Sequence, residues 1–328
     1  MIRLDFDPTV SLGWLTLRLE TVALAAIVLL VLVLVALAAG RQERNSLRGL
    51  VIERGLRRDD MLLIGLGVVP GAVVGGRLGY GLIHLDYYST HLSALVDPAG
   101  GGLSLSAAVV LGALSGMAVA RLLSSPAVRW LGVASRPVML GLGLGKLAMV
   151  LGGSGQGSFS DVSWATSYVG PGPWGSLSPA DPALPSQALE GIGVLAALGL
   201  LVVLPRVPRF RSGTGSKTAG SKLAVGREWA LLSGWRGFVT MLVAWSGVRF
   251  LAAFTWRDAR LAGPLCAEQL VLLGLVLCLV LVLCVGAAAE TAKQAGAAKP
   301  KPEAKPVRPS GSPSLRDLFD DFIPPGSS

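Results

Sequence analysis

The stretch PVMLGLGLGKLAMVLGGSGQGSFSDVSW, residues Pro137–Trp164, decides what kind of protein this is. Its first part, Pro137–Gly153, is apolar and glycine-rich enough to enter a bilayer, yet Lys146 sits in its middle. An ionisable group at membrane depth costs about 2.5–3.5 kcal/mol on insertion scales unless it faces protein or a wet cavity. The run then breaks into Gly152-Gly153-Ser154-Gly155-Gln156-Gly157, backbone that cannot lie against lipid. A cation on a helix that leads into a glycine-rich turn at the membrane edge reads as a site rather than as packing. The rest of the chain reads as walls around it.

Composition agrees. Of 328 residues, 52% are hydrophobic and 15% charged, against about 25% charged in soluble domains. The class is therefore a membrane protein. The net charge of +9 invites a nucleic-acid partner. That reading is rejected, because the basic residues fall in blocks between apolar runs, where the positive-inside rule places them. Cys266, Cys278 and Cys284 lie in or beside the last apolar run without metal spacing, and read as small embedded hydrophobes. His84 and His91 have no second cluster with which to build a metal site, so neither metal nor cofactor is expected.

Working outward, the pattern predicts an all-α polytopic fold of seven transmembrane helices. Residues Met1–Leu19 are mixed in character and lack the basic region of a signal peptide. Val22–Ala39 is the first span, close to the length a ~30 Å hydrocarbon core needs. Arg41, Arg44, Arg48, Arg54, Arg57 and Arg58 follow in one loop and assign it to the cytoplasm, with the N-terminus outside. Met61–His84 is the second span, Leu85–Gly100 an interfacial outer segment, and Leu103–Leu123 the third span. Arg121, Arg129 and Arg136 mark the next inner loop, and the fourth span is Pro137–Gly153. Ser154–Leu184 is the longest outer loop, Pro185–Pro205 the fifth span, and Arg206–Arg227 a further basic loop. Gly237–Trp256 and Glu268–Ala289 complete the seven, leaving the C-terminus inside. The membrane domain is thus 1–289. The tail 290–328 is Lys/Pro/Ala-rich and expected to be disordered. Leu315, Leu318, Phe319 and Phe322 within 314–323 have the spacing of a short docking helix for a cytoplasmic partner.

Four ionisable residues stand out in or at the ends of spans: Arg77, Lys146, Glu190 and Arg249. At 1.5 Å per residue, all four belong to the outer half of the bilayer and can converge there. Three cations with one carboxylate suit an anionic head group, since arginine binds phosphate bidentately. The alternative is that Arg77 or Arg249 snorkels to the interface. Lys146 lies too deep for that.

These residues and their surroundings resemble the prolipoprotein diacylglyceryl transferase family. The elements are GGRLGY (Gly75–Tyr80), GGLSLSAA (Gly101–Ala108), GKLAMVLGGSGQGSFSDVSWA (Gly145–Ala165), PSQALEG (Pro185–Gly191) and WSGVRFLAAF (Trp245–Phe254), in the family's order from FDPTVSLGWLTLR to about residue 288. The resemblance implies transfer of diacylglyceryl from phosphatidylglycerol to the lipobox cysteine of prolipoproteins in the bacterial plasma (inner) membrane. It also implies an arginine where Lys146 stands, asparagines at Met149 and Gly152, and a glutamate at Ser154. Histidine is implied at Ser106 and Leu184, tyrosine at Trp245, glutamate at Ala253 and tyrosine at Glu20. Pro185, Ser186, Gln187, Glu190 and Arg249 are kept.

The implied reaction needs a base for the lipobox thiol, whose free pKa is ~8.5, and cations for the departing phosphate. Arg77, Lys146, Arg249 and Gln187 are the candidates for the head group. Glu190 and Arg249 are the candidate catalytic residues. Ser106, Ser154 and Trp245 stand at substituted positions of the same site. Three readings stay open at this level. The chain performs the family reaction, or it is a non-catalytic paralogue that binds anionic lipid or a lipoprotein signal peptide, or it is a different lipid transferase or flippase on this scaffold.

Overall fold

A computed structural model of the chain describes residues 1–48, 56–97, 102–203 and 234–297. Part of the basic loop at 41–60, all of the basic loop at 206–227, and the 314–323 motif lie outside these residues. Among the described residues, seven helices are long and apolar enough to cross a membrane, so the chain is a multi-pass membrane protein. They are α1 (Leu19–Arg48), α2 (Arg58–Ile83), α4 (Leu105–Leu122), α5 (Ala127–Ala148), α6 (Ser186–Val203), α7 (Gly234–Ala252) and α8 (Ala267–Ala297), with a one-turn α3 (Leu85–Tyr88) after α2. Met1–Leu283 form one compact body, and the residues from Cys284 a second unit that begins with the end of α8.

The fourth span differs from the expectation. Arg129 and Arg136 do not lie in a loop, because α5 starts ten residues earlier, at Ala127. The reason is a buried stripe. Ala127 and Trp130 pack with Val35, Ala39, Leu56, Met61 and Ala120, while Arg136 stays exposed. Trp130 donates its indole N–H to Ser125 Oγ at 2.9 Å. Burial of that stripe outweighs the arginines and leaves Pro137 inside the helix.

Small residues set the closest helix contact. Gly67, Gly71, Gly75 and Gly79 of α2 face Val119, Ser115, Leu111 and Ala107 of α4 in antiparallel register. A Cβ on Gly75 would stand 2.5 Å from Leu111 Cβ and 2.8 Å from the Ala107 carbonyl oxygen. In lipid, where apolar side chains gain little by leaving their surroundings, such backbone approach is a main source of association. A second cluster of Met139, Val194, Phe238, Met241, Leu242 and Trp245 joins α5, α6 and α7. Of the seven spans α7 is the most enclosed, while α1 and α8 leave most of their leucine and valine faces exposed.

Short strands cap one end of the bundle, and hydropathy did not reveal them. β1 (Ile2–Asp5) pairs in parallel with β4 (Thr166–Val169), from Ile2↔Thr166 to Asp5↔Val169. β2 (Thr9–Leu12) and β3 (Leu15–Arg18) form a hairpin turned at Gly13, and β5 (Arg260–Ala262) pairs with β6 (Leu265–Cys266) just before α8. The segment after α5 is stitched across α6 and α7. Gly157 N–H donates to the Leu184 carbonyl at 2.8 Å, and Ser158 N–H to the Thr255 carbonyl at 2.8 Å.

Candidate functional site

At this capped end, three of the four sequence-predicted ionisable residues meet. Glu190 lies in the second turn of α6, whose inward face also buries Ser186, Gln187 and Val194. Its carboxylate is fully enclosed and faces two cations. Arg249 Nη1 donates to Oε1 at 2.7 Å, and Lys146 Nζ stands 3.0 Å from Oε2. The lysine contact is an ion pair without hydrogen-bond alignment, so Oε2 keeps an uncommitted lone pair. Lys146 reaches it from the last turn of α5.

The fourth charged member is Glu268, a residue that sequence reasoning did not single out. It occupies the first turn of α8. That turn is fixed by Gln269, whose Oε1 accepts from Cys266 N–H at 2.9 Å, as the third residue of a capping box does. Gln269 Nε2 also donates to the Phe250 carbonyl of α7 at 3.1 Å, tying α8 to the helix that carries Arg249. Glu268 Oε1 accepts from Arg249 Nε and Nη2, each at 3.2 Å. Ser106 Oγ donates to the same oxygen at 2.5 Å, and Ser104 Oγ to Oε2 at 3.3 Å. Ser106 therefore does belong to the cluster, at a residue exposure of 1%.

Trp256 floors this group. The Arg249 guanidinium lies 4.5 Å from its ring centroid and Lys146 Nζ 5.9 Å, within the range where a ring face attracts a cation. Trp245, at a position singled out from the sequence, is wholly buried with its ring 5.9 Å from the same guanidinium. Its indole N–H has no hydrogen-bond partner among the described residues, and neither has Gln187 Oε1. Gln187 Nε2 donates to the Tyr168 hydroxyl at 3.2 Å. Burial, aided by the charge of Glu20 and opposed by the Gln187 contact, pushes the Tyr168 phenol up to about 12.

Ser154 is placed apart from the four charges. Its hydroxyl donates to Glu20 Oε2 at 2.8 Å, and Arg18 Nη2 lies 3.6 Å from that oxygen. The turn that carries Ser154 is left-handed at Gly153 (φ 74°) and Gly155 (φ 77°), which is why glycine recurs there. Arg77 is not brought into contact with Glu190 or Arg249. Its guanidinium donates to the backbone carbonyls of Asp97 and Gly102, ordering the approach to α4.

Two cations and two carboxylates in one buried group sum to no net charge. Such a set is held together by geometry, since desolvation offsets much of the Coulomb gain. Chemically it can exchange. An anion that takes the Nε–Nη2 edge of Arg249 displaces Glu268 from it, and the indole N–H of Trp245 and the amide oxygen of Gln187 remain to be paired. Glu268 was legible in one respect, because it mirrors Glu190 as a carboxylate at the start of an apolar span. Trp256, seven residues beyond Arg249, offered no such signal.

A family model described as prolipoprotein diacylglyceryl transferase matches residues 11–286. The phosphatidylglycerol–prolipoprotein diacylglyceryl transferase of Geobacter sulfurreducens is 33% identical over 181 residues, covering 54% of this chain and 62% of that protein. The enzyme of the same name from Acaryochloris marina is 25% identical over 185 residues, covering 56% of this chain and 67% of its own length. The chain thus spans about three fifths to two thirds of the length of these relatives.

Proposed function

The chain belongs to the prolipoprotein diacylglyceryl transferase family, and from that premise we propose that it moves a diacylglyceryl group from phosphatidylglycerol to the lipobox cysteine of prolipoproteins. The observation that carries the proposal is the buried Lys146–Glu190–Arg249 group, with the unpaired indole N–H of Trp245 beside it.

In the reaction, the cysteine sulfur attacks the glyceryl carbon that carries the phosphate ester. The S–C bond forms, the C–O bond breaks, and glycerol phosphate leaves with the electron pair. Arg249 and Lys146 hold the phosphate, where charge grows as the C–O bond opens. Preorganised cations in a water-poor site contribute several kcal/mol to such a step. Glu190 holds both cations in place from a fully enclosed position. Gln187 offers Oε1 to a head-group hydroxyl, and Trp245 its N–H to a phosphate oxygen. Arg77, which donates to the carbonyls of Asp97 and Gly102, adds a cation outside the buried group. Lysine at 146 binds as a point charge and gives up the bidentate grip an arginine would supply.

The basic loops support an orientation with the N-terminus outside and the C-terminus in the cytoplasm, and the family reading supports a bacterial plasma membrane as the location. The site then lies in the outer half of the membrane, on the side where lipobox substrates emerge, and the 314–323 motif is available to a cytoplasmic partner. The test is a transfer assay with purified protein, phosphatidylglycerol and a lipobox peptide, read by mass for the diacylglyceryl thioether. Product that disappears with Arg249→Ala is expected. Absence of product from a preparation that still binds phosphatidylglycerol overturns the proposal.

A further inference from the structure

We infer that Glu268 is the base of the transfer step, held on Arg249 until the lipid phosphate takes its place. The inference rests on the transfer reading above and adds to it a residue and an order of events.

Glu190 is poorly suited to take a proton. It has no exposure, and each of its oxygens faces a different cation at 2.7 and 3.0 Å. Both oxygens are thus already engaged by cations. Glu268 is held differently. Its Oε1 receives both Nε and Nη2 of Arg249 at 3.2 Å. That is longer than the 2.7–2.9 Å usual for charge-assisted bonds. Nε and Nη2 form the edge of a guanidinium that two phosphate oxygens occupy in a bidentate contact. A phosphodiester arriving at Arg249 therefore competes with Glu268 and leaves the shorter Nη1–Glu190 contact intact.

Charge balance points the same way. Arg249 of α7 and Lys146 of α5 are matched by Glu190 of α6 and Glu268 of α8, and α4 presents only the hydroxyls of Ser104 and Ser106 to this carboxylate. The arriving anion compensates the cations, so one carboxylate loses its partner. Displaced from Arg249, Glu268 stays in the site. Ser106 and Ser104 still donate to it, and Gln269 fixes its backbone at the N-terminus of α8, an end that favours negative charge. The result is an ionised carboxylate without a cation, next to a bound phosphate. At neutral pH only a few per cent of a thiol with pKa ~8.5 is ionised, so such a base accelerates attack.

The step balances as follows. Glu268 takes the thiol proton as the sulfur bonds to the glyceryl carbon, and the C–O electron pair leaves on glycerol phosphate. The proton then passes to that phosphate oxygen, and the regenerated carboxylate returns to Arg249.

The experiment compares the parent with E268Q, whose amide oxygen still accepts from Arg249 and Ser106. Phosphatidylglycerol in detergent micelles is the binding probe, and lipobox peptides carrying cysteine or selenocysteine are the acceptors. E268Q is expected to bind the lipid at least as tightly as the parent. Its transfer to the cysteine peptide should fall about 10²–10⁴-fold. Transfer to the selenocysteine peptide, which ionises without help, should stay within a few-fold of the parent. E268D, a carboxylate on a shorter arm, should retain more cysteine transfer than E268Q. Weaker lipid binding by E268Q, an unchanged cysteine rate, an equal loss with both peptides, or E268D no faster than E268Q each overturns the inference. Product from the parent with an unaffected E268Q overturns this step alone, whereas no product from the parent overturns the transfer reading beneath it.

Discussion

Arg249 is the residue on which both stability and binding turn, and removing it separates the two. Arg249→Met keeps most of the side-chain volume but takes away the contacts to Glu190 at 2.7 Å and to Glu268 at 3.2 Å. Lys146, 3.0 Å from Glu190, can compensate one carboxylate. The other loses its cation in a pocket where the two side chains have 0% and 7% of their surface exposed. Leaving one member of a buried pair uncompensated costs about 3–5 kcal/mol, whereas replacing a whole buried ionic group by neutral side chains is often close to neutral. Arg249→Met alone should therefore lower stability by about 3–5 kcal/mol, read as a shift of the unfolding midpoint in detergent. The double variant Arg249→Met/Glu268→Gln, which leaves the Lys146–Glu190 pair intact, should recover most of that loss. Neither variant should bind phosphatidylglycerol. A single variant within about 1 kcal/mol of the parent, where exposed pairs fall, refutes the reasoning. So does a double variant no more stable than the single one, because then shape and not charge accounts for the cost.

Three further outcomes are expected. Lys146→Arg should preserve or tighten phosphatidylglycerol binding, because a fork of donors replaces a point charge, and titration of the lipid against both proteins measures it. Gly75→Leu should cost about 1–3 kcal/mol or more through overpacking, since even its Cβ would stand 2.5 Å from Leu111 Cβ. The thermal midpoint checks this, with Gly199→Leu as the lipid-side comparison where a Cβ meets nothing within 4 Å. The phenol of Tyr168 is raised from 10.0 to about 12 in the folded protein. The unfolded chain therefore loses its proton first, so this stabilisation is complete below pH 10 and declines as pH rises towards 12. Denaturation at pH 9 and 11.5 should show a loss in the parent that is smaller in Tyr168→Phe.

Much of this protein can be read from its linear order, and the reason is local. A bilayer selects contiguous apolar runs, and seven of them were legible, with α5 alone beginning well before its expected boundary because a stripe around Trp130 is buried there. The cost of intramembrane charge singled out Lys146, Glu190 and Arg249 in the same way, each from its own neighbours. Which charges actually touch is a different question. It depends on the rotation of each helix about its axis and on the depth at which it stops, quantities set by contacts between spans far apart in the chain. Arg77 has the right depth but turns towards the carbonyls of Asp97 and Gly102. Glu268 looked like the edge of a span. It reaches Ser106, 162 residues away, only because Gln269 ties the start of α8 to the α7 backbone. Sequence alone determined the seven spans and the identity of three charges. Only tertiary structure decided their partners, because a side chain's pairing is a property of helix packing and not of hydropathy.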